Sequence, residues 1–201
     1  RPDYGWLSEE TADAPHRLSA RRTFVVDPID GTRGFMEGRS AWCVSLAVVE
    51  DGHPVAGVLE CPAQRETYWA VPGGGAYRNG AAIAVQALPE RPRVAGPKPM
   101  FDLLPAQWRQ RIDRRPHIPS LAYRIAMIAG GELDDTFVKP NAHDWDIAAA
   151  DLILREAGGR LVGVAGPLSY GRADVRHGPL AAGSGALLDV MADVLHTCVG
   201  G

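Results

Sequence analysis

The hydrophobic rhythm of the chain changes near residue 92. Before that point apolar residues come in short, dense runs broken by turn formers. Phe24-Val25-Val26 and residues 41–49, 55–59 and 67–71 read as strands, rich in β-branched and apolar side chains between Gly, Pro, Asn and Asp. The run at 41–49 is apolar at odd and even positions alike, so it predicts a central strand covered on both faces. Asp51-Gly52, Gly73-Gly74-Gly75 and Asn79-Gly80 supply turns. Residues 12–22 are polar and contain a proline, as a loop would. Residues 1–92 therefore predict a mostly antiparallel meander.

Beyond a proline-punctuated crossing at 91–99 the pattern alternates between strand and helix. Val94-Ala95 reads as a short strand. Residues 105–114 read as a helix with an Arg-rich, solvated face. Ser120 is placed to cap a helix carrying Leu121, Ile125 and Ile128 on one face and stopping at Gly130-Gly131. Residues 144–157 predict the next helix, with Ile147, Leu152 and Leu154 inward and Gly158-Gly159 as its stop. A strand at 161–164 and a closing helix at 190–198 follow. Residues 93–201 thus predict an α/β half, and the whole chain an α+β or α/β fold.

Composition narrows the function classes. At 201 residues and 46% hydrophobic content the chain can bury a sizeable core. A formal charge of -3 excludes a nucleic-acid polymer as a bulk partner, since phosphate backbones select basic surfaces. No apolar run is long enough to span a bilayer, and no signal peptide or repeat is legible. Cys43, Cys61 and Cys198 are odd in number and lack a CxxC spacing. They are expected as reduced thiols of a cytoplasmic protein. Lys98 and Lys139 are the only lysines, so Arg is the default base and its identity alone marks no ligand.

The chemistry concentrates in Val25-Val26-Asp27-Pro28-Ile29-Asp30-Gly31-Thr32. Pro28 removes a donor and is expected to stop the strand. Gly31 permits a tight turn, and Thr32-Arg33-Gly34-Phe35 opens a short helix. Asp27, the Ile29 carbonyl and Asp30 would then converge as hard oxygen ligands suited to Mg²⁺. The amides of Gly31 and Thr32 would face an anion. The plainer alternative is an Asp-Pro turn with a helix cap. Two further segments weigh against it: Trp6-Leu7-Ser8-Glu9-Glu10-Thr11 and His143-Asp144-Trp145-Asp146-Ile147-Ala148-Ala149-Ala150. The three-glycine run lacks the strand-then-helix setting of a nucleotide loop, and no Ser-His-Asp nucleophile set is legible. His143 is expected at the surface or as a cap, since Mg²⁺ would not select it.

In this order the three segments resemble the inositol monophosphatase superfamily of Mg²⁺-dependent, lithium-sensitive phosphatases. The resemblance covers residues 9 to about 185, including Gly73–Gly80 and Glu156-Ala157-Gly158-Gly159. Ser-Glu-Glu and His-Asp-Trp-Asp look most like the bacterial CysQ-type 3′(2′),5′-bisphosphate nucleotidases. The resemblance implies a layered α-β-α-β-α sandwich. It also implies helices and a further acid ahead of the Glu-Glu pair, which this numbering lacks. It implies two or three Mg²⁺ per site, with Mn²⁺ as a substitute, held by Glu9, Asp27, the Ile29 carbonyl, Asp30 and Asp146. Asp27 would bridge two ions, Glu9 would hold the water-activating one, and Thr32 would orient the attacking water. Trp145 would pack against the Asp146 carboxylate and lock it. The cleaved phosphate would sit on Asp30, Gly31, Thr32 and Asp146. Lys139, with Asn141, His143 and Gly183-Ser184, would meet the far end of the substrate. The expected substrate is a small phosphorylated metabolite, first 3′-phosphoadenosine 5′-phosphate, then inositol 1-phosphate, then fructose 1,6-bisphosphate; a homodimer fits the resemblance. A non-catalytic metal-binding or assembly protein is the expectation from a different class.

Overall fold

In the computed structural model, residue 1 and residues 3–197 are described. The first half forms one seven-stranded sheet in chain order. Its strands are β1 (Gly5–Ser8), β2 (Arg22–Asp30), β3 (Cys43–Glu50), β4 (His53–Cys61), β5 (Glu66–Ala70), β6 (Ala76–Arg78) and β7 (Ala81–Ile83). A short helix, α1 (Thr32–Met36), separates β2 from β3. Only β1 runs parallel to its neighbour; every later pair is antiparallel, as a meander with tight turns requires.

The second half continues with β8 (Arg93–Ala95), α2 (Lys98–Asp102), α3 (Ala106–Arg111), β9 (Asp113–Arg114), α4 (Leu121–Ala129) and β10 (Asp135–Val138). Then follow β11 (Ala142–His143), α5 (Asp144–Glu156), β12 (Arg160–Gly163), β13 (Arg176–His177), β14 (Leu180–Gly183) and α6 (Gly185–Thr197). Five of these strands form a second sheet in the order β12-β14-β10-β8-β9, and β11 pairs with β13 in a small ribbon. Helices α4 and α5 lie between the two sheets, while α6 packs on the second sheet's other face. This is a mixed α/β layered fold, β-α-β-α in these residues.

Helix α5 shows why the layers fit. A helix between two sheets must be apolar on all sides. Ile147, Ala148, Ala149, Ala150, Leu152, Ile153 and Leu154 are all buried. The alanines let the first sheet approach closely, and Gly57 on β4 lies against Ala149. A Cβ at Gly57 would come within 2.9 Å of the Ala149 carbonyl oxygen, so backbone meets backbone. Gly57→Val is expected to destabilise the protein by ~1–3 kcal/mol through overpacking, measured by denaturant unfolding. A midpoint unchanged from wild type would show that the layers can part there without loss.

Three local expectations are corrected, and two strands were not foreseen. The helix expected over 105–114 ends at Arg111, because Ile112 turns extended and is buried in the core; Asp113-Arg114 then pair with β8. The arginines on it are exposed, as a solvated face would be, with the Arg111 guanidinium 4.8 Å over the Trp108 ring. Strands β10 and β14 had no period-2 signature because all four residues of each are buried. On β3 buried and half-buried residues alternate, so its outer face is only partly covered. The closing helix starts at Gly185, and Cys198 lies outside the described residues.

Candidate metal centre and active site

Strand β2 does not stop at Pro28; it continues to Asp30 through an irregularity. Asp27 pairs opposite Ser45 and Asp30 opposite Cys43, so the register slips by one between them. In a regular strand residues three apart point to opposite faces. The proline cannot donate to the ladder, and the slip places one extra residue in β2. Both carboxylates thereby face the inner side, toward α4 and α5.

Helix α5 contributes the third acid from its first turn. Ligand atoms of Asp27, Asp30 and Asp146 lie within 4.8 Å of one another. One oxygen of each is held by a backbone amide. The Ile29 amide donates to Asp27 at 2.9 Å, that of Ala122 to Asp30 at 2.6 Å, and that of His143 to Asp146 at 2.7 Å. Each carboxylate is therefore oriented, and each still offers one oxygen to a common point. The Ser120 hydroxyl also donates to Asp30 at 2.5 Å while accepting from the Tyr123 amide at 3.0 Å. The cap of α4 thus locks an acid of the other sheet.

The electrostatics match a cation site. Burial first, then the charges of Asp30 and Glu9, push Asp27 up to about 8. Burial raises Asp146 to about 7, against the hydrogen bond from His143, and burial raises Asp30 as well. Three crowded carboxylates without a paired Lys or Arg are the donor set that a hard divalent ion such as Mg²⁺ satisfies. The residues fit the ion.

The other expected site residues divide. Glu9 follows β1 directly, its amide donating to the Val26 carbonyl at 3.3 Å; it stands outside the trio but raises both Asp27 and Asp146. The Ile29 carbonyl accepts from the Thr32 hydroxyl at 2.8 Å, which uses that hydroxyl's proton and leaves its lone pairs free. Gly31 has φ +90°, and a Cβ there would meet the Ser120 backbone at 2.9 Å, so the turn needs glycine. The ring of Trp145 does not lock Asp146; it stacks on His143 with centroids 4.6 Å apart. The amide of His143 holds the acid instead.

Lys139 is exposed just after β10. It lines a cavity of about 250 Å³ with Pro97, His117, Pro119 and Arg124; Asn141, His143, Gly183 and Ser184 do not line it. Pro119 and His117 also line a neighbouring cavity that reaches Gly31. Sequence reading missed Arg124 on α4, whose guanidinium is buried against β10. Its Nη2 donates to the Phe137 carbonyl at 3.4 Å, and its Nε has no hydrogen-bond partner. Burial pulls it down to about 10, opposed by the charge of Asp30. An arginine on a helix face carries no local signal of burial. Asp144 was likewise unassigned; it is buried and accepts from Gly171 at 2.6 Å, with His177 Nε2 at 2.7 Å, which ties the β11–β13 ribbon to the start of α5.

The sequence profile of the inositol monophosphatase family matches residues 1–199. The chain belongs to the inositol monophosphatase family. Relatives carry the names of inositol and histidinol phosphatases and of the Nus factor SuhB. A Mycobacterium tuberculosis protein named histidinol-phosphatase is 32% identical over 188 residues, covering 83% of this chain and 69% of that protein. A Thermotoga maritima fructose-1,6-bisphosphatase/inositol-1-monophosphatase is 34% identical, covering 72% of this chain and 58% of its own length. The chain therefore spans about two thirds of the curated relatives it matches. The solved structure of a Thermotoga maritima IMPase superposes with a TM-score of 0.81 at 30% identity, over 98% of this chain and 76% of that one. The suppressor protein SuhB of Bartonella henselae gives 0.81 at 27%, covering 97% of this chain and 76% of that one. Among the described residues no helix is long and apolar enough to cross a membrane.

Proposed function

We propose that the protein hydrolyses a phosphate monoester that carries a second anionic group, best matched by 3′-phosphoadenosine 5′-phosphate, releasing phosphate and AMP. The observation that carries this reading is Arg124. A buried guanidinium with an unpaired Nε lines a cavity together with Lys139 and His117, and that cavity adjoins the Gly31 end of the carboxylate site. Burying a cation without a carboxylate partner is costly, and an anion arriving through the cavity removes that cost. A neutral polyol would bring no charge to offset the Arg124 guanidinium. The run Val138-Lys139-Pro140-Asn141-Ala142 also offers no acid to hold polyol hydroxyls. A substrate bearing an amine, such as that named for the M. tuberculosis relative, would meet like charge.

Asp27, Asp30 and Asp146, with the Ile29 carbonyl and Glu9, would hold Mg²⁺. Bound there, the ions would neutralise phosphate charge and lower the pKa of a coordinated water. The chain's own residues do the rest. Thr32, its proton committed to Ile29, accepts a hydrogen bond from the attacking water and aims it. Glu9, outside the trio but felt by Asp27 and Asp146 through its charge, would take that water's proton. The amides of Gly31 and Thr32 receive phosphate oxygens. Arg124 and Lys139 hold the far phosphate, which fixes which ester bond lies over Asp27.

Phosphate release from adenosine 3′,5′-bisphosphate, adenosine 3′-monophosphate, inositol 1-phosphate and fructose 1,6-bisphosphate tests this. The bisphosphate nucleotide is expected to lead. Lys139→Ala is expected to lower its kcat/KM about tenfold, the worth of one charge-assisted hydrogen bond at a half-open site, with the 3′-monophosphate unchanged. Equal falls on both nucleotides, or no fall on either, would remove the second-anion reading.

A further inference from the structure

A second cavity opens beyond the Arg124 cavity and shares Pro97, Lys139 and Pro140 with it. Its volume is about 470 Å³, far more than one phosphate fills. Its cations are ordered along the trench. Arg124 lines only the first cavity, Lys139 lines both, and Lys98 lines only the second. These are the chain's only two lysines, placed together where arginine is otherwise the default base. Met100 and Leu103 form the apolar wall beside them, and Leu103 is left 48% exposed. Every other lining residue is proline.

No side chain of this second cavity carries a hydroxyl, amide or carboxylate. It therefore has no side-chain acceptor for sugar hydroxyls, for the donor edge of a base, or for a metal ion. What it offers is point positive charge at one end and aliphatic surface at the other. We propose that this cavity binds the extension of a diphosphate ester, so that the substrate's second anionic end is a diphosphate carrying an aliphatic arm. One phosphate lies between Arg124 and Lys139, the next between Lys139 and Lys98, and the arm lies on Met100 and Leu103. The inference rests on the bisphosphate reading of the same site and names a larger substrate class for it.

Three probes separate the two claims: adenosine 3′-monophosphate, adenosine 3′,5′-bisphosphate, and coenzyme A, whose 3′-phosphate sits on an adenosine diphosphate bearing an aliphatic amide arm. Release of the 3′-phosphate is measured for each at saturating Mg²⁺. The step from the first probe to the second tests the Arg124 cavity, and the step from the second to the third tests the extension. Coenzyme A is expected to exceed the bisphosphate about tenfold in kcat/KM, the gain from seating roughly two methylenes of an arm that docks only while Lys98 holds the outer phosphate. Leu103→Asp, at an exposed position that folding tolerates, and Lys98→Ala are each expected to abolish that gain and leave the bisphosphate within about twofold of wild type. Coenzyme A cleaved no better than the bisphosphate, or both compounds losing equally in the variants, overturns the extension alone. No gain from monophosphate to bisphosphate overturns the second-anion reading, and the extension with it.

Discussion

Asp27→Asn is expected to lower kcat/KM by more than about a hundredfold at saturating Mg²⁺ while raising the melting temperature of the protein in EDTA. The two effects have one cause. Asp27 sits at the centre of the acid trio, fixed by the Ile29 amide and crowded by Asp30, Glu9 and Asp146. Loss of a residue that only orients a metal ligand commonly costs 10–100-fold, and a shared ligand costs more. Without metal, the same carboxyl must either keep a proton that the unfolded chain would release or, above about pH 8, face other charges, and an amide of equal size removes that cost. The Ile29 amide still finds an oxygen on Asn, so the turn survives. At this chain length each kcal/mol gained appears as ~2–4 °C. Activity within tenfold of wild type would defeat the metal role of Asp27. A lower melting temperature in EDTA would show that the carboxylate has a favourable partner in the metal-free state.

Without divalent cations the protein is expected to lose stability as pH rises from about 4 to 8, and Mg²⁺ is expected to restore it most at the alkaline end. Asp27 and Asp146 hold their protons up to about 8 and about 7 in the folded chain. In the unfolded chain an aspartate releases its proton near ~3.9. The folded state therefore binds more protons across this window, so raising pH favours unfolding; the stability is complete below the unfolded value and lost as pH passes the folded ones. Mg²⁺ needs the ionised ligands and competes with those protons, so its binding is weak at pH 5 and strong at pH 8. Thermal melts at pH 5.5 and pH 8, with and without Mg²⁺, measure this. An equal Mg²⁺-induced shift at both pH values would mean that the ion does not bind through these carboxylates.

Much of the first sheet was legible because its turns are chemical signals. Asp51-Gly52 and Asn79-Gly80 sit at positive φ in the structure, as the turns need. Helix α5 was legible from its apolar run and its Gly158-Gly159 stop. The short strands β10 and β14 were not, since four buried residues carry no period. The site splits along the same line. Asp27, Ile29, Asp30, Gly31 and Thr32 are neighbours in the chain, and their convergence is a local matter of a proline, a glycine and a register slip. Ser120 read only as a helix cap, because its bond to Asp30 spans 90 positions.

By itself, then, the order of residues determined that two acids flank a proline at the end of a strand, that a third begins an alanine-rich helix, and that the turns suit a meander. These follow from backbone sterics and donor chemistry within a few residues. Only the tertiary structure decided that Asp146 reaches the other two and that the α4 cap orients Asp30. It alone decided that Arg124 is buried with an unpaired nitrogen beside Lys139. Those are outcomes of packing one helix layer between two sheets, where burial and charge are set by residues far away in the chain.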